Sequence, residues 1–215
     1  MTRKQQPPSE AKSASALEHA DARLTAALAQ HRDHPVIATL GRASEVADQP
    51  PLLALTAATA LAGLILRRPV LLRAGLRMLA SELVATGIKT RIKHRVDRTR
   101  PHKMLDEGRY ALRHAGDAAS REGPWSSFPS GHTAGAVAVA RALTRDIPGA
   151  AIPATIAAAT VAAIQVPRAK HFPTDVIAGV AIGLAAEALV STGIRLLSRP
   201  DRTRSDDAPD RRSSA

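Results

Sequence analysis

The sequence predicts an all-α protein, a bundle of about five apolar helices embedded in a membrane. Three observations predict it. Apolar residues make up 45% of the chain but aromatic ones only 2%. Ala above all, with Leu, Ile and Val, carries the apolar share; Ala and Leu are strong helix formers, whereas strands favour aromatic and β-branched side chains. Apolar stretches of helical length then recur along the chain, separated by charged or proline-containing breaks.

The first fifty residues are polar and balanced, with six Lys/Arg and six Asp/Glu. Gln5 to Glu10 reads as a flexible start. Within 14–31, Leu17, Ala20, Leu24, Ala27 and Leu28 recur at helical spacing and predict a short amphipathic helix. The start shows no charged-then-apolar signal-peptide pattern, so a later segment is expected to target any membrane. Pro51 to Leu66 carries no charge over sixteen residues, and Arg67-Arg68-Pro69 closes it. A second helical stretch, Val70 to Ile88, holds Arg73, Arg77 and Glu82. Such charges are tolerable in a membrane only on a bundle interior. Residues 89–128 form a long polar segment with ten Lys/Arg and five Asp/Glu. Three apolar stretches follow: Thr133 to Leu143, Ile147 to Val166 and Val176 to Leu197. Ile147 to Val166 reaches the roughly 20 residues a span requires; Val176 to Leu197 nearly does, carrying only Glu187 and Arg195. The division expected is a polar N-terminal region at 1–50, a helical domain at 51–197 and a disordered charged tail at 198–215. A soluble Ala-rich bundle is the alternative, because Ala contributes little to membrane insertion.

The chain has 30 Lys/Arg against 19 Asp/Glu, a formal charge of +11, and no cysteine. The missing cysteines exclude disulfides, thiolate metal sites and cysteine nucleophiles. The positive charge points to an anionic partner. Aromatic poverty argues against single-stranded nucleic acid, which stacks its bases on aromatic rings. No nucleic-acid partner is expected.

Three clusters carry chemistry. In Lys93-His-Arg-Val-Asp-Arg-Thr-Arg100-Pro101, Lys93 and Arg100 are seven apart. On a helix they would share a face, and Pro101 would end that helix. Together the two cations can grip a phosphate; alone the cluster could equally be a solvated basic loop. In Ser127-Phe-Pro-Ser130-Gly131-His132-Thr133, Ser130 is a natural N-cap. Gly131 admits a ligand close to the backbone, and the helix start offers free N–H groups to an anion. His132 beside it can exchange a proton near neutral pH. In His171-Phe-Pro-Thr-Asp175, Asp175 can accept a hydrogen bond from one ring nitrogen of His171, leaving the other free as a nucleophile. Because chain direction alternates across a bundle, all three clusters should meet at one end.

The order Lys-x6-Arg-Pro, Pro-Ser-Gly-His, His-x3-Asp resembles the type 2 phosphatidic acid phosphatase superfamily, over about Pro51 to Leu197. That family includes lipid phosphate phosphatases, bacterial acid phosphatases and vanadium haloperoxidases. The resemblance implies an acid phosphatase/haloperoxidase-like helical bundle and a metal-independent hydrolase needing no cofactor. It implies that His171 attacks phosphorus to form a phosphohistidine, that Asp175 orients and balances it, and that His132 protonates the leaving oxygen. Lys93, Arg100, Ser130 and the Gly131 amide would hold the phosphoryl oxygens. One position departs from the pattern: the Arg usually found six residues before the nucleophile is Gln165 here. Arg168, closer to His171, is the expected replacement. Trp125 is expected near the mouth of the site.

The substrate implied is a lipid phosphate or diphosphate met in the membrane. A bacterial-type plasma membrane is the expected location. Arg67, Arg68, Arg145 and the Arg-rich tail favour the far face as cytoplasmic, with the site facing outward. The alternatives are a soluble or peripheral acid phosphatase acting on small esters, and a non-catalytic membrane protein that binds anionic headgroups.

Overall fold

Proline and small polar residues set the helix starts. Ser15 caps α1 (Ala16–Ala29), His34 with Pro35 opens α2 (Pro35–Ser44), and Asp48 caps α3 (Gln49–Ile65). Pro69, Pro101 and Pro173 occupy the first positions of α4 (Pro69–Lys93), α5 (Pro101–Glu107) and α8 (Pro173–Leu197). There the missing N–H costs nothing and the fixed φ suits the helix. Ser130 caps α6 (Gly131–Asp146), and α7 spans Ala151–Ile164 after a single 3-10 turn. This computed structural model describes residues 15–108, 112–114 and 126–198. Gln5 to Glu10, Trp125 and most of the charged tail lie outside the described residues.

Five apolar helices, α3, α4, α6, α7 and α8, form the bundle, with α6 packed on α4, α7 and α8. The central core is built mostly from alanine, with Ala85 of α4, Ala134 and Ala138 of α6 and Ala186 of α8 around Ile182 of α8. Small side chains let the helix axes approach closely. Gly75 of α4 is a tight example, since a Cβ there would lie 2.3 Å from the backbone nitrogen of Ala60 on α3. Two of the three charges expected on α4 face the interior. Glu82 is buried, and Arg77 turns inward to Asp146 at 2.8 Å and Ser191 at 2.9 Å. Arg73, nearest the helix end, pairs with Asp146 from an exposed position.

Several expectations need correction. α4 does not stop near Ile88 but continues to Lys93. Lys93 and Arg100 therefore share no helix: the chain turns into a three-residue strand, β1 (Val96–Arg98), paired antiparallel with β2 (Leu112–His114). Arg100 is the extended residue before α5, and Pro101 begins a helix instead of ending one. The segment 147–166 is not one continuous span, because Pro148 opens a 3-10 turn and α7 proper has 14 residues. α8 is the one helix among the described residues long and apolar enough to cross a membrane. The N-terminal region carries α1 close to its expected bounds, α2, and a 3-10 turn at Glu45–Ala47.

Gly75→Ala tests the close approach of α3 and α4. On an exposed helix this change stabilises by about 1 kcal/mol; here the clash with the α3 backbone reverses the sign. A loss of about 1–3 kcal/mol is expected, read as a lower unfolding midpoint in detergent.

Candidate active site

The ends of α4, α6 and α8 bring the three clusters together. The amide of Ser130, before α6, donates to the carbonyl of Asp175 in the first turn of α8 at 3.0 Å. Lys93, the last residue of α4, donates through Nζ to the carbonyl of Ser126 at 3.2 Å. The amide of Ser127 donates to the carbonyl of Arg98 at 2.9 Å. Small residues allow this contact: a Cβ at Gly179 of α8 would lie 2.7 Å from the carbonyl oxygen of Ser130.

His171 is buried at this junction. Its Nδ1 lies 2.8 Å from the carbonyl oxygen of Ser127. A carbonyl only accepts, so Nδ1 carries the proton and Nε2 keeps its lone pair. The expected direct bond to Asp175 is replaced: Asp175 Oδ2 stands 3.7 Å from Nδ1, beyond hydrogen-bond length but close enough for its charge to act. The carboxylate is already committed. Oδ1 accepts from Arg98 at 2.6 Å, and Oδ2 accepts from the Phe172 amide at 2.8 Å and from the Ser127 hydroxyl. Burial pushes the His171 imidazole down from 6.5 to about 4, against the pull of Asp175; Arg100 and Lys93 add to the depression.

The cations sit around this ring. Arg100 is largely buried, which lowers its pKa, with Asp175 and Asp48 opposing. Its Nε is buried without a hydrogen-bond partner among the described residues. Lys89, one turn before Lys93 on α4, stacks on Gly131: a Cβ at Gly131 would meet its Cδ at 3.0 Å and its Nζ at 3.3 Å. Ser130 caps α6 through Oγ, accepting from the Thr133 amide at 3.4 Å. The Gly131 backbone thus lies at a helix N-terminus against the Lys89 side chain.

The other flank holds His132. Its Nε2 is 3.4 Å from Glu45 Oε2. Glu45 Oε1 accepts from Arg168 at 2.6 Å and from Lys170 at 3.3 Å. Partial burial of Glu45 pushes upward, but Arg168 and Lys170 win and hold the carboxyl at about 2. Arg168 also donates to Ser44 Oγ at 3.0 Å, so its guanidinium is engaged by the 44–45 turn. Gln165, at the departing position, is buried and donates to the Val161 carbonyl at 2.9 Å, while its Oε1 has no partner among the described residues. Glu45, Asp48 and His132 place ligand atoms within 4.8 Å of one another, a carboxylate-histidine group that the sequence did not announce.

Geometry of this kind, three ordered clusters on the ends of antiparallel helices, agrees with comparisons to known proteins. The PAP2 superfamily model matches residues 71–198. The chain belongs to the PAP2 superfamily. The match begins inside α4, later than the Pro51 expected from the motifs. No curated protein matches the chain in sequence. A solved structure similar to this one is that of the first transmembrane PAP2 type phosphatidylglycerolphosphate phosphatase from Bacillus subtilis. It is 23% identical, with a TM-score of 0.61, covering 89% of this chain and 92% of that one. At that identity the likeness is one of fold. Membership of the PAP2 superfamily supports a phosphatase, a hydrolase of phosphoric monoesters.

Residues the motifs missed are those supplied from a distance. Lys89 had a signal, lying one helical turn from Lys93. Arg98 lay inside the first cluster without an assigned role. Asp21 and Glu45 gave none, because their contacts reach across more than 70 residues of chain.

The depressed His171 carries a stability prediction. As pH falls, the unfolded imidazole takes its proton near 6.5 and the folded one only near 4. The unfolded state binds more protons between those values, so stability is full above about 6.5 and declines toward 4. Urea midpoints in detergent should fall through that window, and His171→Asn should flatten the decline.

Proposed function

We propose that this PAP2 protein hydrolyses a lipid phosphate or diphosphate in a membrane, through a phosphohistidine and without a metal. The observation that carries this reading is the arrangement of His171: Nδ1 held by the Ser127 carbonyl, Nε2 bearing a lone pair, and the buried cations of Arg100 and Lys93 beside it. Nε2 attacks phosphorus while the bond from phosphorus to the ester oxygen breaks, and the electron pair leaves on that oxygen. His132 supplies the proton that the leaving oxygen needs. Water then attacks the phosphohistidine; His132 takes its proton, and phosphate departs with the N–P bond broken. Lys93, Arg100, Ser130 and the Gly131 amide stabilise the charge that grows on the equatorial oxygens. Arg168 is assigned the role of the missing cation at position 165. Release of its guanidinium from Glu45 would make it available to a phosphoryl oxygen.

The apolar exterior supports a membrane setting. Ile65 of α3, Ile152 of α7 and Ile177 of α8 are 68%, 75% and 67% exposed. Leu61, Leu64, Ile156, Leu184 and Leu189 join them on the outward faces of these helices. Exposed apolar surface on this scale marks a membrane or interaction face, and a site opening at the end of such a bundle meets amphiphiles. Arg67 and Arg68 lie at the opposite end, which supports reading that end as the cytoplasmic side and the site as facing outward.

A phosphate-release screen over lipid phosphates in detergent with EDTA tests the reading. Wild-type protein should release phosphate, and His171→Ala should abolish it. His132→Ala should lose about 10²–10⁴-fold on an alkyl ester, and far less on a nitrophenyl ester whose leaving oxygen needs no proton. Metal-dependent release, or release that survives His171→Ala, overturns the mechanism. Arg100→Ala and Arg168→Ala should both depress turnover; if Arg168→Ala leaves it intact while Arg100→Ala abolishes it, Arg168 does not replace the missing cation.

A further inference from the structure

Asp21 lies on α1, well upstream of the residues matched by the PAP2 model, yet it is among the buried carboxylates of the chain, 4% exposed. It accepts from Arg98 Nη2 at 2.7 Å, from the Thr174 amide at 3.2 Å and from the Thr174 hydroxyl. The same Arg98 donates through Nη1 to Asp175 at 2.6 Å and to Thr174 Oγ1 at 2.7 Å. Its guanidinium lies over the Phe172 ring, 4.2 Å from the centroid. One buried guanidinium is thus shared by two carboxylates, one of which faces the His171 imidazole. Helix α1 is seated by packing as well as by charge. Ala22 meets a small cluster of Met104, Leu105 and Phe172, the residue after His171. At the surface, Arg32 pairs with Asp106 at 3.2 Å.

We propose that Asp21 is a positioning residue for the reaction and that docking of α1 completes the active site. The proposal rests on the phosphohistidine reading above. Asp21, Arg98 and Asp175 carry a net charge of −1 behind His171. When Nε2 bonds to phosphorus, the ring keeps its Nδ1 proton and becomes cationic. The net negative charge stabilises that cation, and the rigid guanidinium, held by Asp21 through Nη2, fixes Asp175 against the ring through Nη1. Neutralising Asp21 leaves Arg98 with a full charge to share with Asp175 alone, and the support for the imidazolium disappears. The phosphate grip does not involve Asp21, so ground-state binding is untouched while the transition state is weakened.

The test compares wild type, Asp21→Asn, Asp21→Glu, Thr174→Val and Arg32→Ala in detergent. Turnover is measured alongside calorimetric binding of two probes, inorganic phosphate and orthovanadate. Asp21→Asn should lower kcat by about 10- to 100-fold, the range for residues that orient a reacting group, with KM within about twofold. It should weaken orthovanadate, which mimics the five-coordinate phosphorus, and leave inorganic phosphate unchanged. Asp21→Glu should recover part of kcat because it restores the charge. Thr174→Val, which removes one hydroxyl from the relay and keeps the side-chain shape, should fall between; it carries the test if Asp21→Asn does not fold. Arg32→Ala removes only a surface ion pair beyond the end of α1, leaves the relay and the seating of α1 in place, and should behave as wild type. Equal losses in Arg32→Ala and Asp21→Asn, or an Asp21→Asn protein with wild-type kcat and orthovanadate affinity, overturn the proposal. A wild-type protein that neither releases phosphate nor binds orthovanadate overturns the underlying phosphatase reading, and the positioning role falls with it.

Discussion

The carboxylate of Asp175 is the joint on which the site depends. It sits in the first turn of α8 and gathers the Phe172 amide, the Ser127 hydroxyl and the Arg98 guanidinium. Each partner comes from a different part of the chain, and each brings a motif with it. Ser127 leads into the cap of α6; Arg98 belongs to the strand between Lys93 and Arg100; Phe172 follows His171. A buried carboxylate without partners would cost several kcal/mol, so the ends of the bundle must close around this one. The same requirement that satisfies a buried charge therefore assembles the site.

Around that joint the helices pack through Ala and Gly rather than through large side chains. The contacts of Gly75 with α3 and of Gly179 with the Ser130 carbonyl set interhelical distances that any side chain would increase. At the far end a second polar cluster ties the same helices together: Arg77 with Asp146 and Ser191, and Arg145 with Glu187 at 2.8 Å. The bundle is thus pinned at both ends by charge and held along its length by close backbone approach. Neither device needs the aromatic bulk that the composition lacks.

Two polar flanks of unlike character border the start of α6 at Gly131. One is cationic and largely buried, made by Lys89, Lys93 and Arg100. On the other, Glu45 binds Arg168, Lys170 and His132 in a single carboxylate. An acidic group therefore occupies the junction of the cations nearest His132, and it comes from the N-terminal region. That region also supplies Asp21 to Arg98. Residues ahead of the family match thus touch both sides of the site.

The sequence alone determined the helical class, because Ala and Leu propensity and apolar periodicity act over a few turns. It also determined the cap at Ser130 and the grouping of His171 with Asp175, since both are local in chain. Length and phase of helices were less legible: the stretch of 89–93 is polar yet helical because its lysines face the site, and Pro101 starts a helix because a proline at the first position needs no N–H partner. Only the tertiary structure decided which atom holds the His171 ring. The i, i+4 spacing favoured Asp175, but three other donors had already taken its oxygens, and the Ser127 carbonyl stood nearer. It also decided the places of Asp21, Glu45 and Arg168, because an ion pair between residues more than seventy positions apart leaves no periodic trace in the chain and exists only once the helices have packed.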